Sequence, residues 1–511
     1  RRLPQQLDVE VLKEELSRIK KAQTKVIMHN GKFDYEVIKC TCDIEIVPDW
    51  DTMIAAVILN ENESKSLKWQ YKNKIDPTQE EYKIEKLFKK VPYADVDIES
   101  FALYSATDAY ITFKLFEYQL NEFKKKDNKK LFELFKDIEM PMIKIAADME
   151  LIGVRADLGY VQKLKNKYSK KLDEVNVKIQ ELYQEFKELV DEWRKSASAQ
   201  RNELIDPTNS DYKKANFDKK FDITNDIKGI QNKLGKKKLE HIGEEITVTS
   251  PKQLSIFFYD ILEAANLKNK KPRGTGKHQL EQLIENFKTV QDHLKLFIKV
   301  NKEEKENPIN EEEVDEDTIT VKKVLKNIKK YIKVKINPEI VTDEDIYKLI
   351  DRYKKATYFC ELLLEQRQYN KLITTYLNSI PKLSKHWSDG KVRFHLNTYG
   401  AATGRFSSGG GWKFLNEHDE QITLQGMNQQ NLPSKNHEIR LSFVADEGRV
   451  FVSGDFSSQE PKITAFVSQD EEMIKAFVEK KDIYAIIAQS AYGNRYEDNL
   501  EWYPAGTVLK D

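Results

Sequence analysis

A helix-rich multidomain chain, part α/β and part α+β, is what this sequence predicts, on three patterns. Residues 1–130 alternate strand-like pieces (Val26-Ile27-Met28; Asp43 to Val47) with helical ones, the signature of an α/β region. From Val161 through Leu164, Tyr168, Leu172, Val175, Ile179, Leu182, Phe186 and Leu189, apolar residues recur at three- and four-residue steps, which marks one long amphipathic helix. Over 391–460 the pattern turns to strands and loops, broken at Gly409-Gly410-Gly411.

Along the chain, residues 136–190 read as strongly helical, and so does the stretch from Tyr353 to Pro381. Residues 191–240 are polar and read as an insertion. A second insertion is expected near 290–350, where an acidic run (301–317) precedes a basic one (Lys322 to Lys335). Both runs are expected to be solvated surface; the sharper reading is that the basic helix touches phosphate. The glycines at 409–411 read as a linker or tight loop and do not both follow a strand and open a helix in the way a phosphate loop must. Val450, Phe451 and Val452 read as a short buried strand ending at Asp455, a rigid way to present a carboxylate. Glu460 then heads an apolar-periodic segment (Ile463, Phe466, Val467, Met473, Ile474, Phe477).

Composition bounds the classes. At 511 residues there is room for about three domains. Lys and Arg number 84, as do Asp and Glu, so the zero formal net charge leaves any nucleic-acid binding to local patches. No apolar run approaches the length of a membrane helix, and no secretory leader is expected. Three cysteines (Cys40, Cys42, Cys360) without a C-x-x-C argue against a disulfide framework or zinc finger and for a reducing, cytoplasmic setting.

Several stretches then carry a resemblance. Thr403-Gly404-Arg405-Phe406-Ser407-Ser408 is similar to T-G-R-L-S-S, Asn428-Gln429-Gln430-Asn431-Leu432-Pro433 to N-L-Q-N-I-P, and Ile439-Arg440 with Phe443 to I-R-x-x-F. Asp455-Phe456-Ser457-Ser458-Gln459-Glu460 resembles D-Y-S-Q-I-E, and Lys481-Asp482-Ile483-Tyr484 resembles K-D-I-H. Together they resemble the polymerase domain of family A DNA polymerases. His29-Asn30-Gly31-Lys32-Phe33-Asp34, Asp51-Thr52-Met53 and Tyr104-Ser105-Ala106-Thr107-Asp108 resemble the second motif, the following segment and the third motif of DEDD-type 3′–5′ proofreading exonucleases. Glu139-Met140-Pro141, Met149 to Asp157 and Ser250-Pro251-Lys252-Gln253-Leu254 resemble the lead-in and part of the family's thumb. Glu460-Pro461-Lys462 is nearer the E-P-R of phage-type members than the bacterial E-L-R, and Phe456 replaces the usual Tyr.

The resemblance implies an RNase H-like exonuclease domain lacking its first strand over 1–135, a helical thumb over 136–375, and a partial right-hand palm with the start of fingers over 376–511. It implies template-directed DNA synthesis with proofreading, using primer–template DNA, deoxynucleoside triphosphates and pairs of Mg2+ ions. Asp455 and the Phe456 carbonyl would be metal ligands and Glu460 the sugar gate. Arg405, Gln430, Asn431 and Arg440 would contact DNA. In the exonuclease, Asp34 and Asp108 would hold metal, Tyr104 would serve the chemistry and Asn30 would touch DNA; in a helix, Asn30 and Asp34 share a face, as do Tyr104 and Asp108. Both sites are expected to be incomplete. Residues 1–29 are expected to hold no D-x-E, and motifs B and C to fall beyond Asp511, so the isolated chain is expected to be inactive. It would be a fragment, or one half of a split polymerase completed by a second polypeptide. A non-catalytic DNA-binding subunit is the alternative, and a stand-alone DEDD exonuclease a further one.

Overall fold

The computed structural model describes residues 8–78, 96–193, 195, 250–265, 274–307, 318–401, 403–415, 421–433 and 436–492. It divides into two compact units, Arg1–Val444 and Ala445–Asp511.

In the first unit, Asp8 caps the helix Val9–Lys21 by accepting from Glu10 N. The strand Ile27–Met28 lies parallel to Trp50–Asp51, with the helix Gly31–Cys42 between them in sequence. The second strand expected at Asp43 to Val47 is therefore displaced to Trp50–Asp51. The helix runs to Cys42, Asp43 stops it with φ +54°, and the next residues carry the chain back. Cys40 and Cys42 lie in that helix; Cys40 is exposed and Cys42 buried. Trp50 packs against Phe116, Phe123 and Phe135 at centroid distances of 5.1, 5.7 and 4.6 Å. These large apolar bodies anchor the helix Ile98–Phe123 on the two-stranded sheet.

The predicted amphipathic stripe forms the helix Leu158–Glu185, begun by Asp157, whose side chain accepts from Tyr160 N. Val175, Ile179 and Leu182 from it join a core built chiefly by Lys277–Glu306 and Asp343–Lys371, where Phe287, Leu294 and Phe297 meet Tyr353, Phe359 and Leu363. The segment expected as a second insertion is built into this core. Leu294, Phe297, Val321, Val324, Ile328 and Ile346 are all buried. The basic run starts in the helix Val321–Ile328, which buries its valines and isoleucine and leaves Lys322 and Lys326 in solvent. Most of the insertion expected at 191–240, and residues 308–317 of the acidic run, lie outside the described residues.

A three-stranded antiparallel sheet joins distant parts of this unit, in the order Lys391–Val392, Val154–Ala156, Phe443–Val444. Gly153 precedes its middle strand with φ +62° and ψ −175°, a conformation open essentially to glycine alone. A Cβ there would stand 2.9 Å from the Val392 carbonyl oxygen. Beyond it, Ser407–Ser408 and the hairpin Gly411–Leu415/Gln421–Gln425 are strands, turned at Gly409 and Gly410 with φ +150° and +96°.

The second unit differs from expectation at its start. Val450, Phe451 and Val452 are not a buried strand: they are irregular and 81%, 62% and 92% exposed. A strand needs neighbours for its backbone N–H and C=O groups, and among the described residues none runs beside these three. The helices Gln459–Ser468, Glu471–Val478 and Ile483–Tyr492 follow, with Ala465, Ala476 and Ile483 buried. Of the apolar-periodic segment, Ile463, Phe466 and Val467 are exposed. Among the described residues no helix is long and apolar enough to cross a membrane.

Candidate active sites

The second exonuclease-like motif and the segment after it border a cavity of about 740 Å³ lined by His29, Asn30, Lys32, Lys65 and Lys68 and, from far along the chain, by His395 to Tyr399; Asp34, Tyr104 and Asp108 are not among its lining residues. Asn30 does not share a helical face with Asp34. It precedes the helix in the left-handed region with φ +66°, and the helix begins at Gly31. The reason is Asp51, a buried carboxylate that accepts from Asn30 N at 3.2 Å and Gly31 N at 2.6 Å, and also from Met53 N at 2.8 Å and Ile54 N at 3.2 Å. One side chain thus caps two helix N-termini. Burial nevertheless pushes the Asp51 carboxyl above its usual range, against those four amides. Gly31 is tightly set, since a Cβ would meet Pro48 Cγ at 2.9 Å. Asp34 is half-buried, and burial followed by the nearby Asp51 raises its carboxyl too.

Tyr104 and Asp108 do share a face of the helix Ile98–Phe123. Both are engaged by Lys68, from the helix Leu67–Lys74: its ammonium donates to Tyr104 Oη at 3.1 Å and pairs with the Asp108 carboxylate. His29 lies close by, with Nδ1 2.9 Å from Thr52 Oγ1. Burial first and Lys68 second push the His29 imidazole down to about 4, so it is neutral at pH 7. Residues 1–29 do carry one D-x-E triplet, Asp8-Val9-Glu10, against the expectation that they carry none; it begins a helix instead of lying in a strand.

Sequence reasoning missed a second charge cluster on this wall. Glu150, 6% exposed, takes the Lys32 ammonium, His395 Nδ1 at 3.0 Å and Leu396 N at 2.5 Å. Lys32 also reaches Glu36 at 3.3 Å. These bonds outweigh burial and keep the Glu150 carboxyl low, whereas burial holds Glu36 above the usual carboxylate range. Tyr399 closes the cavity by donating to Glu139 Oε2 at 2.8 Å, while Lys65 donates to its carbonyl at 3.2 Å. Glu150 lies in the quoted motif around Met149 to Asp157, but its partners are more than a hundred residues away in either direction.

The polymerase-like motifs of the first unit are exposed side chains on fixed backbone. Arg405 is exposed and follows Gly404, whose φ is +73°. Gln430 and Asn431 are exposed in the short turn Gln429–Asn431. That turn is held by Asn428, whose side chain accepts from Gln430 N at 3.0 Å, and by Tyr376 Oη, which donates to the Asn431 carbonyl at 2.6 Å. Arg440 is exposed at the end of the helix His437–Arg440. Glu438 ties that helix to Leu158–Glu185 through Lys167 Nζ at 2.5 Å and Tyr168 Oη at 2.6 Å.

In the second unit Asp455 and Phe456 are exposed, in irregular chain just ahead of the helix Gln459–Ser468. Glu460 is exposed in that helix's first turn, after Ser458 with φ +49°. Asp482 accepts from Tyr484 N at 2.9 Å at the start of Ile483–Tyr492. Among the described residues no three His, Cys, Asp or Glu side chains gather as a metal site would require. One Asp with one backbone carbonyl fits an Mg2+ ion that takes its remaining ligands from water and phosphate. Asp34 and Asp108 fit two ions poorly, because an ammonium already sits on Asp108.

Comparison with known proteins accounts for this combination. Residues 3–124 match the family model described as 3'-5' exonuclease, and residues 314–500 match DNA polymerase family A. The chain thus carries, in order, one region similar to 3'-5' exonuclease domains and one similar to family A DNA polymerases. DNA polymerase I of Chloroflexus aurantiacus is 24% identical over 471 residues, 91% of this chain and 35% of that protein. DNA polymerase I of Borreliella burgdorferi is 24% identical over 472 residues, 92% of this chain and 35% of the relative. The thermostable DNA polymerase I of Thermus filiformis reaches 33% identity over 147 residues, 28% of this chain and 16% of its own. The chain thus spans 35% of the length of the first two relatives. Among solved structures, the POL domain of Pol1 from M. smegmatis, in complex with DNA primer-template and dNTP, shares the fold. Its TM-score is 0.50 at 17% identity, over 92% of this chain and 54% of that one.

Proposed function

We propose that this chain supplies the exonuclease, thumb and early palm portions of an enzyme that copies a DNA template by adding deoxynucleotides to a primer. The observation that carries this reading is the presence, in order on one chain, of matches to the 3'-5' exonuclease and DNA polymerase family A models. Boundaries near 135 and 375 divide the three portions, the first RNase H-like and the last the palm of a right hand. The primer–template duplex would lie along the thumb and meet Arg405, Gln430, Asn431 and Arg440. Minor-groove acceptors occur in every base pair, so Arg405 would test pairing shape without reading sequence.

Asp455 and the Phe456 carbonyl would hold Mg2+, and Glu460 would stand beneath the incoming sugar and disfavour a 2′-hydroxyl. Bound Mg2+ would neutralise phosphate charge and activate the primer 3′-hydroxyl. Residues equivalent to motifs B and C would come from further sequence or a second polypeptide. In the exonuclease portion, Asn30 and Tyr104 would contact a displaced 3′ end. Asp34 and Asp108 would take metal to the extent that Lys68 yields.

The test is primer extension with Mg2+ and four deoxynucleotides, on this chain alone and joined to the downstream sequence of its own reading frame. Synthesis by the joined protein, abolished by Asp455→Ala with primer–template binding kept within a few-fold, is the expected result. Duplex binding without synthesis in both would favour the non-catalytic DNA-binding subunit. Loss of DNA binding together with folding in Asp455→Ala would remove the metal-ligand role.

A further inference from the structure

Lys68 occupies the place where the exonuclease-like motifs would need a cation. It lies in the first turn of Leu67–Lys74, and its side chain is only 16% exposed. Its ammonium pairs with the Asp108 carboxylate, donates to Tyr104 Oη at 3.1 Å, and stands 4.8 Å from the centre of the Tyr104 ring. Three attractions of different kinds thus hold one charge: an ion pair, a hydrogen bond and a cation–π contact. Both third-motif side chains are committed to it. A lysine is a compact point charge on a flexible stem, able to fill a small polar recess that a divalent ion would otherwise enter. The two cations repel, and with 25% exposure of the Asp108 side chain solvent screens them only in part.

We propose that Lys68 is a built-in monovalent cation of the exonuclease-like cavity, and that a divalent ion reaches Asp108 only by displacing it. The lysine balances the third-motif carboxylate without any metal. Lys65 lines the same cavity, so a cation remains there for an anionic strand while the affinity for a divalent ion is lowered. This rests on the reading that Asp108 is the third-motif carboxylate.

The experiment is Mn2+ binding followed by electron paramagnetic resonance on the full chain, with thermal melting as the folding control. Lys68→Met should raise Mn2+ affinity at least threefold, and Lys68→Arg, which keeps the charge, should stay at the wild-type level. The gain should vanish in Lys68→Met combined with Asp108→Asn. If Lys68→Met fails to fold, Lys68→Gln replaces it, with the same expectation. A change under threefold in the uncharged variant would overturn the role of Lys68 and leave the assignment of Asp108 intact. A gain that survives Asp108→Asn would place the ion elsewhere and overturn the exonuclease reading of Asp108 itself.

Discussion

Asp51 takes four backbone amides from two helices while almost wholly buried, so its removal leaves donors with no acceptor. Asp51→Ala should cost about 3 kcal/mol in urea unfolding, and Asp51→Asn, which keeps one acceptor oxygen, roughly 1 kcal/mol. His29 gives a pH signature. Its folded value lies near 4 against an ordinary 6.5, so as pH falls the unfolded chain takes the proton first. Its contribution is full above pH 6.5 and is lost as pH falls through about 4, amounting to roughly 3 kcal/mol. His29→Gln should show a correspondingly flatter loss of stability between pH 7 and pH 4 in the same assay. Asp51 was legible only as part of an exonuclease-like segment; its hold on the helix at Gly31 was not, because that amide lies twenty residues earlier. Lys68 and Asp108 are 40 residues apart, and neither helical period nor motif spelling announces that pair.

At the scale of elements, periodicity served well where a helix has one wet face. The stripe from Val161 onward became Leu158–Glu185, with Val161, Leu164, Tyr168, Val175, Ile179 and Leu182 buried. Strands were less legible, because their existence depends on partners distant in sequence. Val154–Ala156 is paired by segments more than two hundred residues later, whereas Val450 to Val452, with equal β-propensity, has no described partner. Gly153→Ala would set a Cβ against the Val392 carbonyl and strain φ, at a cost of about 2–4 kcal/mol. Thermal denaturation should show the loss, and hydrogen exchange should show protection falling over residues 154–156. Glu150 joins the helix Met140–Ile152 to Lys32, His395 and Leu396. Glu150→Ala strands the Lys32 ammonium, the His395 ring nitrogen and a backbone amide, and should cost about 3–5 kcal/mol, with faster proteolysis of 395–399 as the local readout.

Over the whole molecule, the chain holds its candidate groups in two units: Arg405, Gln430, Asn431 and Arg440 in the first, Asp455 and Glu460 in the second. In the joined enzyme, Arg405→Ala should lower the rate of extension from matched primers about tenfold or more, consistent with loss of about 1.5 kcal/mol or more of charge-assisted bonding. Single-turnover extension checks this, and duplex binding should change far less. The resemblance to family A DNA polymerases was legible in the sequence alone. Its motifs are short runs whose chemistry needs particular side chains in a particular local order, and such order is written in the chain. Which of those groups are already occupied was decided only by the tertiary structure. Asp51 is committed to two helix ends, Asp108 to a lysine and Glu150 to three partners, because electrostatic and hydrogen-bond commitments are made in space, between residues that sequence order keeps apart.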